Sequence, residues 1–242
     1  MNPMSKVLTV SDLSVSFNGH AILKDLSFDL DAGSSLAVIG PNGSGKTVLL
    51  KTLLGLMPNY QGTVTWAPNV KLGYVPQKID ADRHLPINVQ NLLEAKAHTL
   101  GLHKNDVAIA AKTVGLAPNI LHIPVGHLSG GQFQKALIAF ALLGNPNVIL
   151  FDEPTASLDE LSEEHIYDLI HNLQDERGIT TILVSHDLSV VYQYSQQVLC
   201  VNKERICFGP PESITPDILQ KLYGDIHKYV HHIVHEHHEE HD

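Results

Sequence analysis

Hydrophobic and polar positions change rhythm several times along this chain. Over the first 35 residues they alternate with the period of a half-buried strand, in Val7 to Val10 and Leu13 to Phe17. Asn18-Gly19 is a two-residue hairpin signal and leads into Ala21 to Leu23. Leu36-Ala37-Val38-Ile39 is instead a continuous apolar run, which predicts a strand buried on both faces. A glycine-rich turn follows, and Lys46 to Leu56 predicts a helix. Thr63 to Trp66 and Lys71 to Val75 predict further strands, interrupted by Pro68 and Pro76.

From about Ile79 to Asn145 the period lengthens. Leu92, Leu93, Ala97 and Leu100 recur at helical spacing, as do Val107, Ala110, Ala111 and Val114. This stretch reads as a helical insert, its last helix starting near Ser129 and ending at Gly144 before Pro146. Val148 to Phe151 is a second doubly buried strand. Ile166, Leu169, Ile170 and Leu173 mark an amphipathic helix that stops at Gly178, and Ile179 to Val184 is a third buried strand. Val198 to Val201 and Ile206 to Phe208 predict a closing hairpin. Strands alternating with helices predict an α/β fold with a largely parallel sheet.

Composition narrows the function classes. Of 242 residues, 43% are hydrophobic and 17% charged, against about 25% charged in an average soluble protein. Acidic residues outnumber basic ones 26 to 16, a net charge of −10. That balance argues against nucleic acid as a partner, because phosphate neutralisation needs Lys and Arg. The start lacks the apolar stretch of a signal peptide, and the longest apolar run, Ala136 to Leu143, is far below the ~20 residues that span a bilayer. A soluble, cytosolic-type chain is expected.

Three motifs carry chemistry. Gly40-Pro41-Asn42-Gly43-Ser44-Gly45-Lys46-Thr47 matches GxxxxGK[ST] between a predicted strand and a helix. Its glycines let backbone N–H groups converge on a phosphate, Lys46 reaches the outer phosphates, and the Thr47 hydroxyl is placed for Mg²⁺. Asp152 and Glu153 end a buried strand, where an α/β sheet opens on its ligand crevice. Asp152 suits the Mg²⁺ shell and Glu153 suits polarising a water. Finally, Leu128-Ser129-Gly130-Gly131-Gln132 opens a helix and precedes Asp152 by 20 residues counted from Gln132. Glycines at a helix N-terminus make a second anion site, which one ATP would meet if two subunits sandwiched it head to tail.

Together these residues resemble the ATPase subunit of an ATP-binding cassette (ABC) transporter, over about residues 7 to 210. The resemblance implies a P-loop NTPase (RecA-like) parallel sheet core, an N-terminal antiparallel β subdomain and an inserted α-helical subdomain. It places the nucleotide-binding core and β subdomain at 1–78 and 146–210, the helical signature subdomain at 79–145, and a C-terminal helix with a His-rich tail at 211–242. It makes Phe17 the aromatic on adenine and Gly40, Pro41, Asn42, Gly43, Ser44, Gly45, Lys46, Thr47 and Val48 the ATP-binding segment. Ser129, Gly130, Gly131 and Gln132 address the partner subunit's ATP; Thr47, Gln77 and Asp152 serve Mg²⁺. Glu153, Gln77, Asp159 and His186 take the catalytic roles, Asp159 within Ser157-Leu158-Asp159 across the dimer and His186 at the γ phosphate. Two departures stand out. Val48 replaces a hydroxyl, a loss of roughly 1–2 kcal/mol of nucleotide binding, and Lys135 replaces an arginine without its bidentate fork.

The implied cofactors are ATP and Mg²⁺. The implied partners are a second copy, an integral membrane permease and, indirectly, an extracytoplasmic metal-binding protein, with the chain cytoplasmic and peripheral on the inner face of the membrane. The segment Lys71 to Lys78 with Leu85-Pro86-Ile87, the stretch Val198 to Asn202, and Ile206 to Glu212 resemble bacterial zinc and manganese import ATPases, most of all the zinc type. The chain has 16 His, and His227, His231, His232, His235, His237, His238 and His241 crowd its end. His227, His231 and His235 are spaced by four, as are His237 and His241, so a helix would stack them as Zn²⁺ ligands. Manganese or iron import, and a soluble ABC ATPase for cofactor assembly, stay open at this point. Cys200 and Cys207 fall opposite one another if Lys203-Glu204 is the turn, and reduced core thiols are expected there.

Overall fold

The computed structural model describes residues 5–77, 87–156 and 158–224. Strand β1 (Lys6–Phe17) takes up both N-terminal apolar groups as one strand, longer than the alternation predicts. A bulge explains the difference: Asp12 sits at φ 52 where the register with β2 (His20–Asp31) shifts. Asn18 and Gly19 close the hairpin with φ 50 and 78, the pair of positive values that a type I′ turn needs. β3 (Ser35–Ile39) and α1 (Lys46–Leu53) come next, before β4 (Gln61–Trp66) returns to the free side of β1. The result is a three-stranded antiparallel sheet, β2-β1-β4.

The expected helix from Lys46 stops at Leu53, not Leu56. Gly55 N–H donates to Thr52 O and Leu56 N–H to Lys51 O, both at 2.9 Å, the paired bonds of a Schellman end. Beyond β5 (Leu72–Val75) lie α2 (Val89–Thr99), α3 (Lys104–Thr113) and α4 (Gly130–Leu142). Among the described residues from 87 to 145 there is no named strand, only the isolated bridge Asn88–Pro124. Asn88 caps α2 and Ser129 caps α4 with their side-chain oxygens.

β6 (Val148–Asp152), α5 (Glu160–Arg177), β7 (Thr180–Val184), α6 (Leu188–Tyr194), β8 (Gln197–Asn202), β9 (Glu204–Gly209) and α7 (Pro216–Tyr223) complete the chain. The second sheet runs β5-β6-β7-β3-β8-β9, parallel through β8 and antiparallel at β9. Every residue of β3, β6 and β7 is buried; the apolar runs Leu36 to Ile39 and Val148 to Phe151 predict this for the first two, while β7 carries Thr180 and Thr181 into the interior as well. Alternate side chains feed separate cores. Leu36, Val38, Val148 and Leu150 pack with α1 and with β1 and β2, while Ile149 and Phe151 pack with residues of α2 to α5.

The hairpin at the end departs from expectation twice. Lys203 alone, at φ 63, turns the chain between the paired Asn202 and Glu204, and a register shift after Cys200 restores the opposition of Cys200 and Cys207. Their Cα atoms are 4.8 Å apart and the sulfurs are joined as a disulfide, not held as the expected reduced thiols. Cross-strand opposition brings the two sulfurs within bonding reach, which is what the bond requires of the fold.

Candidate functional site

The phosphate turn runs from Gly40 to Gly45 between the buried strand β3 and α1. It is held from below by the terminal hairpin. A Cβ on Gly40 would stand 2.0 Å from Val201 O, so only glycine fits there, and Lys203 N–H donates to Ser44 O at 3.2 Å. The Ser44 hydroxyl is buried without a hydrogen-bond partner. A buried orphan hydroxyl in a glycine-lined turn at a helix N-terminus is what a phosphate oxygen would satisfy.

Lys46, the first residue of α1, folds back over the turn, and its Nζ donates to Gly40 O at 2.8 Å and Pro41 O at 3.1 Å. Burial pulls its ammonium below the usual lysine range, against the opposing pull of Glu153 and Asp152. Nζ lies 4.0 Å from Glu153 Oε1. Thr47 Oγ1 donates to Asp152 Oδ1 at 3.2 Å. Burial pushes the Asp152 carboxyl up, the Thr47 hydrogen bond opposes this, and the Glu153 charge pushes it further. Tyr74, near the end of β5, stands against the same carboxylate; burial first, then the Asp152 charge, push its phenol up to about 12.

Such a carboxylate is relieved by a divalent cation. No group of three or more His, Cys, Asp or Glu among the described residues is arranged to hold a metal. Mg²⁺ needs no such cage, because it keeps several of its waters and takes one or two carboxylates plus substrate phosphates. The Thr47 hydroxyl and Asp152 carboxylate fit that requirement.

Glu153 follows at φ 46, its N–H donating to Val184 O at 3.2 Å. Gln77 Nε2 donates to Glu153 Oε2 at 2.6 Å across 76 residues of sequence. The structure therefore gathers Lys46, Thr47, Gln77, Asp152 and Glu153 into one cluster. His186 lies just beyond β7 with an exposed side chain, tied to the cluster through the Val184 backbone.

The other sequence-predicted residues stand apart. Phe17 is 63% exposed at the end of β1, open to a flat ring. Val48 is half-buried and packs against the α1 core. Ser129 and Gln132 form a reciprocal capping box on α4, at 3.1 and 3.3 Å, and a Cβ on Gly131 would meet Ser162 Oγ at 3.4 Å. Asp159 caps α5, accepting from Ser162 N–H at 3.0 Å and Ser162 Oγ at 2.8 Å. The tail histidines and Ser157 lie outside the described residues. Sequence reading missed Tyr74 and Lys203. Tyr74 passes for one more strand residue, and Lys203 reaches the turn through its backbone, which no side-chain pattern announces.

A phosphate turn after a doubly buried parallel strand, facing a carboxylate pair on another strand of the same sheet, defines a P-loop nucleotide hydrolase. Comparison with known proteins narrows that class. Residues 23–156 match the family described as ABC transporter. The zinc import ATP-binding protein ZnuC of Yersinia enterocolitica is 37% identical over 240 residues, covering 97% of this chain and 94% of that protein. A chain from an inward-facing ABC transporter described as metal-chelate type superposes with TM-score 0.82 at 26% identity, over 90% of this chain and 89% of that one. CbiO1 of Clostridium perfringens, part of the ABC transporter complex CbiONQ, does so with TM-score 0.75 at 27% identity, over 86% and 89%. The chain belongs to the ABC transporter family and is one of its ATP-hydrolysing subunits. No described helix is long and apolar enough to cross a membrane.

Proposed function

We propose that the chain hydrolyses ATP to power import of zinc through a membrane permease, working as a dimer on the cytoplasmic side. The observation that carries the hydrolytic reading is the hydrogen bond from Gln77 to Glu153, 2.6 Å long, on a carboxylate that also lies 4.0 Å from the Lys46 ammonium. Zinc as cargo is supported by likeness to ZnuC over nearly the full length of both chains.

In this reading the turn's N–H groups and Lys46 hold the β and γ phosphates, and the adenine lies on Phe17. Thr47, Gln77 and Asp152 would hold Mg²⁺, which would supply positive charge to the phosphates. Glu153 accepts the proton of the attacking water at a carboxylate oxygen, while Gln77 keeps that carboxylate oriented. His186 lies against the γ phosphate. Ser129 to Gln132 of a second copy close over the same ATP, with Asp159 at the seam between subunits. Residues 1–78 and 146–210 form the nucleotide core, 79–145 the helical part on which the permease docks, and 211–242 a C-terminal helix and tail. An extracytoplasmic binding protein delivers the metal, and the tail histidines bind cytosolic Zn²⁺ as feedback.

A strain lacking the chain tests the cargo. Added zinc should restore its growth; restoration by manganese or iron alone overturns zinc.

A further inference from the structure

The turn that presents Glu153 is anchored by groups no nucleotide reaches. An L-residue keeps a left-handed backbone such as φ 46 only where its surroundings hold it. On one side Glu153 N–H donates to Val184 O at 3.2 Å; on the other its carbonyl accepts from Ala156 N–H at 3.3 Å. The next fixed point is Thr155, 5% exposed. Its hydroxyl lies 2.7 Å from Glu163 Oε1 and 2.8 Å from the Tyr167 hydroxyl. Thr155 has one proton to give and Glu163 takes it, so the Tyr167 O–H donates to Thr155.

Tyr167 is 3% exposed, on the face of α5 that packs under the sheet. Burial first pushes the Tyr167 phenol up to about 12, so the proton it gives to Thr155 stays in place across the working range. One buried hydroxyl thus ties the turn that carries Glu153 to α5.

We infer that Tyr167 is a positioning residue for hydrolysis, its hydroxyl fixing the Glu153 turn through Thr155. This rests on the reading of Glu153 as the group that serves the water. A tyrosine that merely fills the core would lower stability on losing its hydroxyl but leave the turnover of folded protein alone. A positioning residue lowers turnover while nucleotide still binds.

The test is steady-state ATPase of the full-length chain, with ADP affinity measured separately, for Tyr167→Phe, Thr155→Val, Thr155→Ser and Glu153→Gln. Tyr167→Phe should lower kcat about tenfold and keep KM for ATP and ADP affinity within about twofold. Thr155→Val should match it, Thr155→Ser should stay near native, and the Tyr167→Phe/Thr155→Val pair should be no worse than either single change. Native kcat in Tyr167→Phe, a parallel loss of ADP affinity, or full additivity in the pair overturns the inference. Where Tyr167→Phe fails to fold, the Thr155 pair decides alone: equal kcat for Val and Ser overturns it. Glu153→Gln separates the two levels. Normal turnover there removes the underlying reading of the site, whereas a stalled Glu153→Gln beside a native Tyr167→Phe removes only the role of Tyr167.

Discussion

At the scale of single residues, the site divides its labour between groups that hold charge and one that moves a proton. Glu153→Gln keeps shape and hydrogen bonding but cannot take up the proton. ATP should still bind, and turnover should fall by about two to four orders of magnitude, the usual contribution of a positioned acid or base. Near-normal phosphate release by that variant would contradict the assignment. Lys46→Ala removes the buried cation that lies over the turn and beside two carboxylates. It should lose ATP affinity itself, which equilibrium binding at ordinary salt would show. Asp159 makes a different prediction, because its bonds here are those of a helix cap. Ser162, through backbone and then side chain, holds the Asp159 carboxyl below its usual range. A depressed value in the folded chain means the cap's stabilisation is present above the unfolded value near ~3.9 and is lost as pH falls through the folded one. Asp159→Ala should therefore lower the urea midpoint at neutral pH, and the gap from the native chain should narrow as the pH drops below about 4. A gap that is constant with pH would mean the carboxylate does not cap.

At the scale of elements, α1 is the wedge between the two sheets. Leu49, Leu50 and Leu53 are buried against β1, β2 and one face of the parallel strands. Leu50→Ala should cost about 2–5 kcal/mol, read as a shift in denaturation midpoint. A shift below about 1 kcal/mol would mean the surrounding strands collapse onto the gap more fully than close packing allows. The elements best read from the sequence are of this kind. β3 and β6 hold unbroken apolar runs, β7 ends in one, and glycines mark the turn before α1 and the stop of α5 at Gly178. What stayed hidden has local causes. Asp12 breaks the alternation of β1 because it sits in a bulge, so one strand reads as two. α6 is seven residues long, too short to display a helical period. Strand order is also invisible, because a strand buried on both faces carries no mark of its neighbour. In the site, Lys46, Thr47, Asp152 and Glu153 announce themselves by motif. Tyr167 does not, since beside Ile166 and Ile170 it reads as one more apolar position on α5. The opposition of Cys200 and Cys207 was legible from the hairpin; their covalent state was not.

At the scale of the whole molecule, ATP chemistry and the proposed metal sensing fall in different stretches of chain. Every residue of the phosphate cluster precedes position 154, whereas seven histidines lie between 227 and 241. Truncation after Gly224 should leave ATP hydrolysis intact and remove inhibition by Zn²⁺, measured with the permease at fixed Mg²⁺ across free Zn²⁺. Equal sensitivity of the two forms would reject feedback through the tail. The inhibition should also fade as the pH drops from 7 toward about 5, because imidazole near its pKa of ~6.5 exchanges metal for protons. Lys203 links distant parts of the chain more directly. Its N–H donates to Ser44 O in the phosphate turn, and its own carbonyl accepts from Lys24 N–H at 2.7 Å. The residue is exposed, yet both of its peptide groups are engaged. In heavy water, the amides of Lys203 and Lys24 are therefore a built-in gauge of nucleotide occupancy. Deuterium should enter them freely when the turn breathes, and far more slowly once ATP stills it.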